Sequence, residues 1–543
     1  MPINSITLEN FKGIKGPAKI DLKPITLLFG PNSAGKSTLI QALHYALEIF
    51  DKQNLDPGKT IKGGSAVDLG GFESLVRSHD LNIPIKMKFE LNVTEWLPVY
   101  FEDYIDMGEF QFVDESPTWD IPQRVDSAWV EIAIQWSHQF EKPILREYNI
   151  GINGEAFAKI STTDDGKQVF LESLDLIHPV FLDGIDRDDA IGILEKMSIG
   201  EDSGEIEFEK LGPLLPLVMA SFNFRKDDPG ITPLVISDSG SAMPEFGKAL
   251  QIEQGHWSKG IDRIQQGSIV LCLSSLIVGP GELIRNELRR MLYLGPIREI
   301  PSRSYSPEKT NDPSRWASGL MGWDILFKAE KSFIEEANRW LTHEDRLNSG
   351  YSIDIKHFKE FDVEDPIMLK LSGLPELDDL VAIHESIAAF PTKSRLCIRE
   401  EATGIELMAQ DIGVGISQVL PVIVGALHLK RGLFAIEQPE LHIHPAFQVG
   451  LGDLFISRIS EASFLIETHS EHLMLRFLRR IRETTEDSLP PGKWPLKPDD
   501  LAVYYVEQGK DGVSVHQLRV DEDGEFLDKW PKGFFEERER ELL

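Results

Sequence analysis

The sequence predicts an α/β fold, and three segments predict it. A glycine-rich loop stands between an apolar strand and an amphipathic helix near the N-terminus. Two further apolar strands lie far downstream, and each runs directly into polar residues. The loop is Gly30 to Thr38, GPNSAGKST; the downstream strands are Leu433 to Ile436, entering Glu437-Gln438-Pro439-Glu440, and Phe464 to Glu467, entering Thr468-His469-Ser470.

In chain order, strand-like alternation runs through Ile6 and Leu8, passes Asn10-Phe11-Lys12-Gly13, resumes in Ile20 to Leu22 and ends in the apolar run Ile25 to Phe29. The loop that follows matches GxxxxGK[ST] in full, and Leu39 to Phe50 reads as an amphipathic helix. Strand, loop and helix together make a phosphate cradle. Backbone amides of Asn32, Ser33, Ala34, Gly35 and Thr38 and the helix dipole favour phosphate. Lys36 reaches the β- and γ-phosphates and the Ser37 hydroxyl ligates magnesium, so ATP and Mg are the expected cofactors.

Between about Glu95 and Arg290 the chemistry pauses. Trp129 to Trp136 and Ile144 to Ile152 alternate like antiparallel strands with a turn at Gly151-Ile152-Asn153-Gly154, which predicts an antiparallel β lobe. Asp186 to Asp228 mixes acidic helix-like segments with Pro and Gly breaks, so an inserted, mainly helical subdomain is expected. No sustained heptad run or internal repeat occurs.

Downstream, Leu433 to Ile436 is a buried-type strand ending in Glu437, the carboxylate expected to hold magnesium with Ser37. One strand later, His469 stands where it can sense a γ-phosphate. His442 and His444 share an i, i+2 spacing without a cysteine nearby, and read as structural or communicating residues.

Composition sets the outer bounds. The 543 residues are enough for two or three domains with sizeable cores. Acidic residues number 88 against 56 basic, and the net charge of -32 opposes general adhesion to nucleic acid or anionic membranes. Local exceptions are Arg285, Arg289, Arg290, Arg298 and Arg303, and then Arg476, Arg479, Arg480 and Arg482. These read either as phosphate contacts to a nucleic acid or as helix faces paired with carboxylates. Two cysteines, Cys272 and Cys397, fit a reducing cytoplasmic setting, and neither a leader-like N-terminus nor a spanning apolar run predicts a membrane.

LENFKGI, GPNSAGKST, AIEQPELHIHP and LIETHSEHL together resemble the ABC-type P-loop ATPases of the RecF, SMC and OLD (overcoming lysogenization defect) group. The resemblance implies a head split between the chain's two ends: residues 1–175 and 291–543 as its halves, with residues 176–290 inserted. It also implies head dimers, or higher oligomers, that share ATP. In such heads a signature loop from one copy caps the other copy's nucleotide, and Asp411 to Gln418 is the nearest candidate, with Gly413, Gly415 and Ser417 as phosphate contacts. Two departures stand out. Gln438 replaces the glutamate that activates water, so either Glu440 orients the water or turnover is slow and gated. Gly413 occupies the usual signature serine position. A glutamine loop is not identifiable; Asp68 to Phe72 is its region by position. Tyr293 to Arg298 resembles a motif of related ATPases, which implies that Arg298 serves the nucleotide or the dimer interface. The closing WPxGFF segment resembles the tail of bacterial ATPases related to the OLD group, and the roughly 70 residues after His469 leave too little room for a Toprim nuclease. The resemblance therefore implies a regulatory ATPase of an anti-phage defence complex, similar to PtuA of Septu systems. Its partner would be a separately encoded nuclease of HNH type. A RecF-like DNA-binding repair ATPase and an ATP-locked scaffold are the alternatives.

Overall fold

The structure is a computed structural model. It describes residues 2–60, 64–93, 97, 121–163, 168–182, 184–199, 234–235, 241–252, 257, 261–303, 305–309, 312–368 and 384–531.

Strands β1 (Ile3–Glu9) and β2 (Ala18–Asp21) pair antiparallel, and β3 (Ile25–Phe29) then departs into a second sheet. The first sheet grows through β4 (Ile85–Asn92), β5 (Ser127–Ser137), β6 (Lys142–Ile152), β7 (Glu155–Thr162), β8 (Val169–Leu174) and β9 (Leu234–Val235). Its order is β2-β1-β4-β5-β6-β7-β8-β9, antiparallel throughout. Alternate residues Ile85, Met87, Phe89 and Leu91 of β4 are buried, as a sheet with one core face requires. The β6–β7 turn sits one step beyond its expected centre, on Asn153 and Gly154, both with positive φ.

The second sheet adds β10 (Leu292–Leu294). A small sheet of β11 (Tyr351–Phe358), β12 (Lys393–Glu400) and β13 (Glu406–Leu407) intervenes. The second sheet then completes with β14 (Leu433–Glu437), β15 (Ser463–Glu467), β16 (Leu501–Gly509) and β17 (Gly512–Leu518). Its order is β10-β14-β15-β3-β16-β17, parallel except for the last pair. The N-terminal strand β3 is thus sandwiched between C-terminal strands, and the head is assembled from both ends of the chain. β3 and β15 are buried at every residue, which explains their unbroken apolar character.

Two cores cover the faces of the parallel sheet. The loop helix Ser37–Lys52 lies between it and the antiparallel sheet, in a core that includes Phe50, Phe89, Ile132 and Tyr504. Helices Arg263–Ile277 and Gly279–Arg289, bent by 45° to one another, contribute Ile269, Leu276 and Ile284 to this core. The rest of the expected insertion is not all in view, because residues 200–233 lie outside those described. The opposite face is covered by helices Val414–His428, Pro445–Ser457 and Glu471–Thr485. Among the described residues no single helix is long and apolar enough to cross a membrane.

Candidate nucleotide-binding site

The glycine-rich loop leaves the C-terminal end of β3, where parallel sheets bind their ligands. Gly30 has φ +147°, and a Cβ there would lie 2.1 Å from the Val506 carbonyl oxygen, so no other residue fits. Ser33 and Gly35 also have positive φ, which coils the loop back toward the helix. Ala34 and Thr38 are buried in its base. The Lys36 ammonium is buried, donating to the carbonyls of Gly30 at 3.0 Å and Pro31 at 2.9 Å, and lies 3.7 Å from Glu467 Oε1. Burial pulls its pKa down, and the Glu467 carboxylate opposes the shift.

Ser37 opens the helix, and its hydroxyl donates to Glu467 Oε2 at 2.7 Å and approaches Glu437 Oε2 at 3.5 Å. The two glutamates are register partners at the ends of β14 and β15. Burial, then the neighbouring Glu467 charge, pushes the Glu437 carboxyl above the usual carboxylate range. Tyr293 donates its hydroxyl to Glu437 Oε1 at 2.8 Å, and burial together with that carboxylate raises the phenol pKa. Ser37 and Glu437 therefore meet as expected. Glu467 joins them unannounced, although both strands end in the same Ile-Glu pair, LFAIE and SFLIE. A hydroxyl and two carboxylates suit magnesium, which takes oxygen ligands and completes its shell with phosphate oxygens and water. Among the described residues no group of three or more His, Cys, Asp or Glu side chains could hold a metal by itself.

Beside the loop lies a cleft of about 520 Å³, lined by Pro31, Asn32, Gln438, Glu440, Leu441, His442 and His469. Three expected site residues, Gln438, Glu440 and His469, thus share one wall. Gln438 has φ +45°, an uncommon conformation for a residue with a side chain, and its amide donates to the Glu467 carbonyl at 2.7 Å. Glu440 braces the switch segment: its carboxylate accepts from Thr468 Oγ1 at 2.8 Å and from the His469 amide at 2.7 Å. Burial raises its pKa. Burial, and then the Lys36 charge, depress the pKa of His469, which favours a neutral imidazole.

The signature segment behaves differently. Gly413 precedes the helix Val414–His428, and a Cβ built on it would meet nothing within 4 Å. Gly415 is pinned: its Cβ would come 2.9 Å from the His442 carbonyl, so the glycine lets the helix abut the loop after β14. Ser417 departs from its expected role as a phosphate contact, for it is fully buried with its hydroxyl turned toward the carbonyls of Ala409 and Gly413. His444 caps the helix Pro445–Ser457 by accepting from the Ala446 amide at 3.2 Å, and His442 holds a positive φ in the loop before it.

Arg298 is also not where a surface role would put it. It is 3% exposed, and its guanidinium donates to the Glu437 carbonyl at 2.8 Å, the Gln438 carbonyl at 3.1 Å and the Gln418 carbonyl at 3.3 Å. The Gln418 amide returns a hydrogen bond to the Arg298 carbonyl at 2.8 Å. Burial pulls the guanidinium pKa down to about 10, still far above neutrality. Arg298 therefore ties the signature helix to the turn after β14. The remaining arginines are largely engaged within the chain. Arg480 is buried against Asp453 at 2.8 Å and Glu483, Arg476 lies 3.6 Å from Asp453, and Arg479 is 2.6 Å from Glu483. Arg482 donates to the Asp523 carbonyl, while Arg285, Arg289, Arg290 and Arg303 pair with Glu282, Asp51, Glu287 and Asp411. Most of these arginines thus pair with carboxylates of the chain, while Arg289, Arg303 and Arg479 keep more than half of their side chains exposed.

The AAA ATPase domain family matches residues 1–168 and 324–474, together more than half of the chain. A protein family of unknown function, DUF3696, matches residues 496–543. A search of curated protein sequences finds no match. Similar solved structures include an SMC head bound to the C-winged helix domain of ScpA, with TM-score 0.36 and 10% identity over 96% of this chain and 98% of that one. The SMC head domain of Thermotoga maritima gives TM-score 0.35 and 10% identity, over 96% and 100%. An SMC head with an extended coiled coil, bound to the C-terminal domain of ScpA and derived from Pyrococcus furiosus, gives 0.35 and 12%, over 96% and 97%.

Proposed function

This chain belongs to the AAA ATPase domain family, and from that premise we propose that it is a slowly turning magnesium-ATP switch controlling a separately encoded nuclease in anti-phage defence. The observation that carries the slow switch is Gln438. The residue after the Glu437 carboxylate is where a base should take a proton from water, and an amide has no such capacity. Glu440 is already committed to Thr468 and the His469 amide, which favours a bracing role over a basic one. Gln438 can still orient water by hydrogen bonding, so turnover persists at a low rate. Ser37 and Glu437 would hold magnesium, which would supply neutralisation of the phosphate charge.

The test is single-turnover hydrolysis. Gln438→Glu is expected to accelerate it by about tenfold or more, within the range of general-base effects, while Glu440→Gln lowers it only by loosening the switch segment. A wild-type rate already near ~10 per second, typical of ordinary enzymes, would defeat the slow-switch reading.

Two copies sharing ATP would place Lys36 and Ser37 of one head opposite Gly413 and Gly415 of the other. The open N-terminus of the helix Val414–His428 supports this pairing. The defence role and the HNH-type nuclease rest on the resemblance of the four motif segments to the OLD group. Co-expression with an HNH-type nuclease encoded beside this chain's gene should reduce phage plaquing, and Lys36→Ala should abolish the protection; the absence of such a neighbour, or protection that survives this change, would overturn the reading. A direct DNA-binding role draws less support, since the arginines that suggested it are engaged within the chain. A cytoplasmic setting goes with this proposal.

A further inference from the structure

Glu467 holds both side chains, Lys36 and Ser37, that the phosphate loop offers to its ligand beside its backbone amides. Its Oε2 accepts from the Ser37 hydroxyl at 2.7 Å and its Oε1 lies 3.7 Å from the Lys36 ammonium, whereas Glu437 reaches Ser37 only at 3.5 Å. Topology explains the ranking. β15 is the immediate neighbour of β3 and β14 is one strand further away, so the acid ending β15 stands nearer the loop. Its side chain is 6% exposed and sheltered from the screening of bulk water.

Incoming β- and γ-phosphates would meet two carboxylates, and Lys36 cannot fully serve Glu467 and the phosphates together. A divalent cation resolves the conflict, because magnesium is commonly held by one or two carboxylates and phosphate oxygens at once. The geometry points to Glu467 as a second magnesium-site carboxylate that makes ATP binding conditional on the cation. Without the cation, Glu467 retains Lys36 and Ser37 and repels the phosphates. With it, the same charge becomes a ligand. Metal and nucleotide therefore arrive together, in keeping with the lack of a self-sufficient metal cluster among the described residues. The assignment rests on the ATP-binding reading above and adds a residue and a condition to it.

Equilibrium titration with a fluorescent ATP analogue, in excess magnesium and in EDTA, tests it on wild type, Glu467→Gln, Glu467→Ala and Glu467→Asp, each checked by thermal melting. Removing the charge should raise affinity in EDTA and lower it in magnesium, shrinking the ratio of the two by roughly tenfold or more. The Asp variant keeps the charge and should keep the wild-type ratio. Should the Gln variant fail to fold, the Ala variant carries the same expectation. Wild type that binds no analogue even in magnesium overturns the ATP-binding reading itself. Wild type that binds, with a ratio unchanged in the charge-removing variants, overturns the role of Glu467 alone.

Discussion

The two halves of the proposed nucleotide site, the glycine-rich loop and the candidate signature helix, are built on opposite plans. In the loop half, Lys36 is buried and Ser37 half-buried, and each is already held by a carbonyl or carboxylate of its own chain. In the signature half, Gly413 faces open space and Val414 is 51% exposed, while the residues behind them, Ser417 and Gln418, are sealed into the core. On the proposed function, the contrast means that the loop half would select its ligand unaided, by exchanging internal partners for phosphate and magnesium. The signature half lacks any such internal exchange, and its exposed helix N-terminus acquires a role only when something covers it. Arg298 joins the two, bonded to carbonyls on both sides.

The largest effect should come from the loop half. Lys36→Ala removes the sole loop cation from beside a buried carboxylate, and nucleotide affinity should fall by roughly a hundredfold or more, the scale of breaking a buried ion pair. Calorimetric titration with ATP and magnesium measures it; a loss below about threefold would show that the loop amides bind without the lysine. Next comes the strut. Arg298→Ala leaves the carbonyls of Glu437, Gln438 and Gln418 without their buried donor, and a loss of about 3 kcal/mol in chemical denaturation is expected. Lys in its place should recover only part, since one ammonium cannot reproduce the planar fork.

Legibility in the sequence divides along the same line. The loop half was readable because its chemistry is local: GPNSAGKST places glycines, lysine and serine within nine consecutive positions. Glu437 was readable because it ends an apolar strand and His469 because it stands two residues past one, and the cleft joins His469 to Gln438 and Glu440. Glu467 escaped because its role depends on strand order: only the insertion of β3 beside β15 brings it to Ser37. Repetition of Ile-Glu at the ends of two adjacent parallel strands was its one trace. Ser417, and the surface-cluster reading of Arg298, misled for the converse reason. A polar residue in a plausible spacing does not announce which way it points, and both turn inward to carbonyls.

A smaller effect should isolate the signature half. Val414→Asp puts a charge at an exposed helix N-terminus, where an acid does not harm the fold. Affinity of the single chain for ATP should therefore stay within about twofold. The same carboxylate would face the partner's phosphates, so ATP-dependent dimerisation, read by sedimentation, should weaken by about tenfold. An unchanged dimer would mean that the signature helix is covered by something other than a second nucleotide-loaded head.

The smallest effect returns to the loop half and to pH. His44, on the loop helix, meets Tyr293 edge-on at 4.7 Å between ring centroids, and its buried Nε2 has no partner among the described residues. Burial brings its pKa down to about 4 from 6.5, with Glu48 opposing the shift. The unfolded chain therefore binds the extra proton between those two values, and stability must fall as pH drops through the window. From pH 7 to pH 5.5 the cost of this one histidine is about 1 kcal/mol. His44→Phe should flatten the stability profile by that amount below pH 6.5 and change little at pH 8, as read by melting across a pH series. Tyr293 also bonds Glu437, so His44 adjoins a residue that supports the proposed metal carboxylate. The folded protein keeps His44 neutral until the pH approaches 4, so any weakening of wild-type nucleotide affinity through this contact should begin only there, and the Phe variant should resist it.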